Sequence, residues 1–154
     1  MALSEGSKVP DFNLIDQNGE NVNLSILAGK PAVLYFYTKD ETKGFKVEAF
    51  EFLDIYCEFN KLDCNIYGIS PDDESSHQKF IDNHSLPFTL LCDPDKKMIQ
   101  DFGVWGEKNM YGKKSMGIIR STFLIDKDGI LLKKWTNVKA KGHAEKVKEV
   151  LENS

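Results

Sequence analysis

An α/β sandwich, a central mixed sheet flanked by helices with a small hairpin at its N-terminus, is the fold class this sequence predicts. Three observations predict it. The chain has 154 residues, within the roughly 100–200 that one domain takes, and no Pro/Gly/Ser-rich stretch or repeat interrupts it, so 1–154 reads as a single domain. Hydrophobic residues make up 41% and charged residues 29%, the balance of a globular chain able to form a core. Short apolar runs alternate with segments of helical periodicity, and a strand–helix–strand–helix succession in a short chain requires crossovers over a largely parallel centre.

The elements follow in order. Near the start, Phe12-Asn13-Leu14-Ile15 and Val22-Asn23-Leu24 flank Asp16-Gln17-Asn18-Gly19, whose Asn-Gly step favours a hairpin turn. After Pro31 the run Ala32-Val33-Leu34-Tyr35-Phe36-Tyr37 does not alternate, the mark of a strand covered on both faces, and it belongs at the sheet centre. A first helix is expected over 42–60, where Phe45, Ala49, Phe52, Leu53 and Tyr56 recur at three or four residues opposite Glu51, Asp54, Glu58 and Lys61. Strands follow at 65–70 and 88–91. Between them a helix over 72–84 carries Asp72, Asp73 and Glu74 in its first turn, where the helix dipole favours acids. Residues 95–102 supply a third helix. Residues 121–126 and 130–135, joined at Lys127-Asp128-Gly129, add antiparallel edge strands, and 143–152 forms a last helix with Val147, Val150 and Leu151 on one face. The pattern is that of a thioredoxin-like sandwich.

Charge and cysteine usage narrow the function. With 24 acidic against 20 basic side chains the net charge is −4, so there is no basic field to hold a phosphate backbone and no nucleic-acid partner is expected. The longest apolar run is six residues against about 20 for a membrane span. Met1-Ala2-Leu3-Ser4-Glu5 lacks the basic and apolar regions of a signal peptide, which points to a cytoplasmic chain with no membrane partner. Three cysteines at irregular spacing form neither a disulfide framework nor a zinc site, and no metal or cofactor is expected. Cys57 reads as an inert core cysteine, Cys64 and Cys92 as exposed thiols. His77, His84 and His143 are scattered and read as solvated helix histidines. The glycines at 103, 106, 112 and 117 match neither a dinucleotide loop nor a phosphate loop.

In an alternating fold the reactive turn usually follows a central strand, where the next helix points its free amides and partial positive charge outward. Here that turn is Thr38-Lys39-Asp40-Glu41-Thr42-Lys43-Gly44-Phe45. Thr42 is placed to cap the helix and Gly44 lets the backbone bend. Tyr35, Tyr37, Phe45 and Trp105 are candidates for an aromatic cluster at this place, although core packing accounts for them more simply.

Several stretches carry a family resemblance: Pro10-Asp11-Phe12-Asn13-Leu14, Val33-Leu34-Tyr35-Phe36-Tyr37 with Lys39-Asp40, Gly68-Ile69-Ser70-Pro71-Asp72, Phe88-Thr89-Leu90-Leu91, Gly103-Val104-Trp105-Gly106-Glu107-Lys108, Gly117-Ile118-Ile119-Arg120-Ser121-Thr122-Phe123-Leu124-Ile125-Asp126 and Val138-Lys139-Ala140-Lys141-Gly142-His143-Ala144. In their order and spacing the chain resembles the peroxiredoxins, within them the Q-type or bacterioferritin-comigratory-protein subfamily, over nearly its whole length. The resemblance implies a thioredoxin-like peroxiredoxin fold, a peroxide substrate and a thioredoxin-type reductant. It implies thiol peroxidase chemistry, in which a helix-start cysteine attacks the peroxide O–O bond and becomes a sulfenic acid. A thiolate suits the task because it is a soft nucleophile whose pKa the helix N-terminus and a nearby arginine lower.

Laid on the family motif Pro-x-x-x-Thr-x-x-Cys, the proline position is Thr38, the threonine position Thr42 and the cysteine position Phe45. The resemblance makes Arg120 the arginine that orients the peroxide and Glu48 the acidic residue often found just after the cysteine. Lys43 and Lys46 replace the flanking Pro and Thr. The intrahelical resolving position is Phe50, so both redox positions are phenylalanine. Three readings follow: a peroxiredoxin-fold chain whose peroxidase activity is lost, with Arg120 and the helix start still attracting a small anion; an active thiol peroxidase using Cys64 or Cys92; or a non-enzymatic binding or holdase partner. A monomer or weak dimer is expected.

Overall fold

The computed structural model describes residues 5–27, 29–37, 56–61, 64–84, 89–110, 113–136 and 143–152. The Asn-Gly hairpin forms as its turn chemistry requires, joining β1 (Asn13–Asp16) to β2 (Asn21–Asn23). Gly19 takes φ 77°, which only glycine adopts without strain. The Asp16 carboxylate accepts from the Asn18 and Glu20 amides at 2.8 and 3.0 Å. A short helix, α1 (Leu24–Leu27), leads toward β3 (Ala32–Phe36), whose five residues are all buried.

The chain then builds α2 (Tyr56–Lys61), β4 (Asn65–Ser70), α3 (Glu74–His84), β5 (Thr89–Cys92) and α4 (Lys97–Asp101). It continues through β6 (Trp105–Met110), β7 (Lys113–Ile118), β8 (Ser121–Ile125), β9 (Leu131–Thr136) and α5 (His143–Glu152). Of the helix expected over 42–60, everything before Tyr56 lies outside the described residues.

Seven strands form one mixed sheet in the order β2-β1-β5-β4-β3-β8-β9. β3–β4 and β4–β5 are parallel, and the remaining pairs are antiparallel. The result is a central mixed sheet flanked by helices, the α/β sandwich that the sequence predicts. The expectation that 121–135 would supply only edge strands is corrected: β8 lies inside the sheet against β3, and only β9 forms the margin. The cause is in the residues, since Phe123, Leu124 and Ile125 are all buried and need cover on both faces. For the β6–β7 pair the sequence predicts no strands. Its Gly- and Lys-rich segments have low strand propensity, and the two hold each other through six register pairs from Trp105↔Ile118 to Met110↔Lys113.

Alternation along β3 divides the core in two. Ala32, Leu34 and Phe36 face one cluster with Phe102, Phe123 and Ile125, whereas Val33, Tyr35 and Tyr37 face a second with Phe59, Phe80, Leu90, Leu124 and Val147. The second face is the one that α2, α3 and α5 cover.

Candidate functional site

The predicted reactive turn begins at Thr38, directly after Tyr37, the last described residue beyond β3. Antiparallel register sets Phe36 opposite Ser121 and Tyr35 opposite Thr122, so Arg120, half-buried in the link between β7 and β8, stands beside the exit of β3. Arg120 lies near enough to His143, which opens the helix carrying Ala144 and Val147 of the second core cluster, for its charge to act on that imidazole. Arg120 is also the only arginine of the chain. Thr38, Thr42, Phe45 and Glu48 lie outside the described residues, as does Phe50. Of the predicted site residues, the structure therefore places Arg120 alone.

The backbone around Arg120 is well tied. The Ile119 N–H donates to the Val104 carbonyl at 2.7 Å, and the Ser121 hydroxyl donates to the Ile119 carbonyl at 2.8 Å. One position further, Thr122 Oγ1 and His143 Nε2 share a 2.7 Å hydrogen bond. Both residues are buried. Burial pushes the His143 pKa down to about 4, with the positive charges of Lys146 and Arg120 adding to the effect. Thr122 and His143 were absent from the predicted site. The sequence signal that could have drawn attention to them is the lone arginine two residues before Thr122.

Both histidine assignments on described side chains need correction. His143 is 4% exposed and His77 fully buried, where solvated helix positions were expected. His77 Nε2 lies 2.9 Å from the Leu91 carbonyl; a carbonyl only accepts, so Nε2 carries the proton and donates. Each ring helps dock a helix onto the sheet through a polar contact, which a reading that counts histidine as polar surface misses.

The thiols are likewise not exposed. Cys64 and Cys92 are both 3% exposed, and burial pushes the Cys64 pKa up to about 12. Cys64 precedes Asn65, the partner of Ala32 at the far end of β3, roughly 20 Å along the strands from the Arg120 row at about 3.3 Å per residue. Cys92 reaches the correct end of the sheet but sits on β5. That is three strands from β8, roughly 14 Å at about 4.8 Å per strand. Neither sulfur stands beside Arg120. Cys57 belongs to α2, and its side chain lies outside the described residues.

The described members of the candidate aromatic cluster belong to core packing, on two different faces. The Tyr35 and Tyr37 rings lie 5.9 Å apart in the second core cluster, whereas Trp105 packs against the first, on the other sheet face, with the Lys96 ammonium 5.5 Å above its ring. Two hollows of about 390 and 410 Å³ open elsewhere, one around Leu24, Ser25 and Gly129, the other around Phe12, Leu14 and Met98. No helix among the described residues is long and apolar enough to cross a membrane.

The sequence pattern of the AhpC/TSA family matches residues 6–134. A putative peroxiredoxin bcp of Helicobacter pylori strain J99 is 48% identical, with 97% of this chain and 98% of the relative covered. The peroxiredoxin Bcp of Bacillus subtilis is 46% identical over 99% and 98%. Among solved structures, PrxQ of Xylella fastidiosa superposes with TM-score 0.92 at 32% identity, covering 99% of this chain and 98% of that one. The Xanthomonas campestris bacterioferritin comigratory protein does so with TM-score 0.87 at 38% identity over 92% and 90%.

Proposed function

Because the chain belongs to the AhpC/TSA family, in its peroxiredoxin Q/Bcp subfamily, we propose that it retains that family's pocket while lacking the nucleophile, and that its ordinary thiol peroxidase activity is lost. The observation that carries this reading is Phe45 at the motif's cysteine position. Peroxide reduction by a thiol needs a sulfur lone pair to attack one peroxide oxygen while the other leaves with the O–O bonding electrons and takes up a proton. A benzyl side chain has no such lone pair and forms no sulfenic acid. Thr42, Glu48 and Arg120 are the retained pocket residues in this reading, with Thr38 at the motif proline. The substitute thiols lose their support, since Cys64 and Cys92 are buried away from Arg120.

The test is a paired assay of the chain and its Phe45→Cys variant with hydrogen peroxide and an organic hydroperoxide, coupled to a thioredoxin-type reductant. The expected result is negligible turnover for the chain itself. For the variant we expect a gain of at least about tenfold, about 1.4 kcal/mol of barrier. Thr38 and Lys43 hold that gain down, because they leave the loop less preorganised than two prolines would. A folded Phe45→Cys protein with no turnover overturns the reading of a retained pocket. We place the protein in the cytoplasm as one domain, a monomer or weak dimer, with Arg120 and the helix start attracting a small anion; titration with sulfate that leaves the Arg120 signals unmoved counts against the last point.

A further inference from the structure

The link that carries Arg120 is held from three directions. On the side of the β6–β7 pair the Ile119 amide is bonded to Val104. From within, Ser121 is bonded back to Ile119. On the third side, two residues past Arg120 and inside β8, Thr122 is bonded to His143 at 2.7 Å.

The third contact is chemically unusual for its surroundings. Thr122 stands between Tyr35 on β3 and Trp135 on β9, and His143 opens α5 beside the buried Ala144 and Val147. Both groups are buried, and a buried imidazole or hydroxyl without its partner is costly. The Trp135 indole meets the imidazole edge-on, with ring centroids 5.5 Å apart at 87°. That contact fixes the ring plane in which Nε2 points at Thr122. The cations facing this imidazole are Lys146 on its own helix and Arg120 on the link, and both favour its neutral form.

We propose that His143 is a positioning residue for Arg120: by holding Thr122, the start of α5 fixes the strand end that presents the chain's only arginine beside the β3 exit. The functional meaning of this clamp rests on the reading of Arg120 as the pocket's retained arginine, while its geometry concerns Arg120 alone.

Because Arg120 is the only arginine, its Nε–Hε resonance is a unique signal in the ¹H–¹⁵N spectrum of the full chain. We expect that signal to be sharp and slowly exchanging in the unmodified protein. His143→Phe and Thr122→Val should each shift it and speed its exchange by about fivefold, the effect of one lost hydrogen bond. Combining them should add little, because both remove the same contact. His143→Gln, whose amide can still bond the Thr122 hydroxyl, should restore most of the protection. Thr122→Val keeps the shape of the side chain and serves as the folded control should His143→Phe unfold. An Arg120 signal unchanged in Thr122→Val, or a Gln variant no better than Phe, overturns the proposal. A Phe45→Cys variant that stays inert would instead sink the pocket reading and leave this signal as it was.

Discussion

At pH 8 a free cysteine is roughly a quarter ionised, whereas burial keeps Cys64, with its pKa pushed up to about 12, almost wholly protonated. Alkylation needs both the thiolate and access to it. Iodoacetamide at pH 8 should therefore label Cys64 at least about a hundredfold more slowly in the folded chain than in urea, as read by peptide mass mapping. Labelling of Cys64 at the unfolded rate would reopen the case for a substitute nucleophile. The residue scale is also where the sequence spoke most directly. Residues 45 and 50 are phenylalanines, and that neither side chain carries a sulfur lone pair is legible without coordinates. Burial is another matter. Cys64, Cys92, His77 and His143 are all small or amphipathic enough to read as surface residues, and only their neighbours in space make them core.

Among the elements, α5 shows how a boundary legible in sequence can hide its anchor. Its range, 143–152, follows from periodicity and agrees with the structure, yet its first residue is buried against Thr122 and Trp135. A pH dependence follows. The His143 pKa falls from 6.5 to about 4 on folding, so between those values the folded chain binds fewer protons than the unfolded one, and stability rises with pH. The contribution is complete above the unfolded value of 6.5 and is lost as pH falls toward 4. Its size is about 2–3 kcal/mol at most. Urea titrations from pH 7.5 to 4 should show this slope, and His143→Gln should flatten it; an equal slope in both proteins would rule His143 out as the cause. The β6–β7 pair is the opposite case, since neither strand has a strong period of its own and each is defined by its partner.

For the whole molecule, the sheet separates two cores, and the first is built around Phe102. Its ring meets Phe36 and Phe123 at 5.4 Å and Phe12 at 6.3 Å, tying α4 and the N-terminal segment to β3 and β8. Phe102→Ala should cost about 3–5 kcal/mol, which for a chain of this size lowers the melting temperature by roughly 10 °C. A calorimetric shift under about 3 °C would mean the core closes over the cavity. The sequence by itself determined the alternating α/β class, the N-terminal turn and the buried run at 32–37, because each depends on local periodicity or on side-chain chemistry. Only the tertiary structure decided that β8 lies inside the sheet, that Tyr35 and Trp105 occupy opposite faces, that the two described thiols stand away from Arg120, and that His143 reaches Thr122. Those facts depend on strand order and register, and strand pairing joins residues far apart in the chain whose spacing along it says nothing of their distance in space.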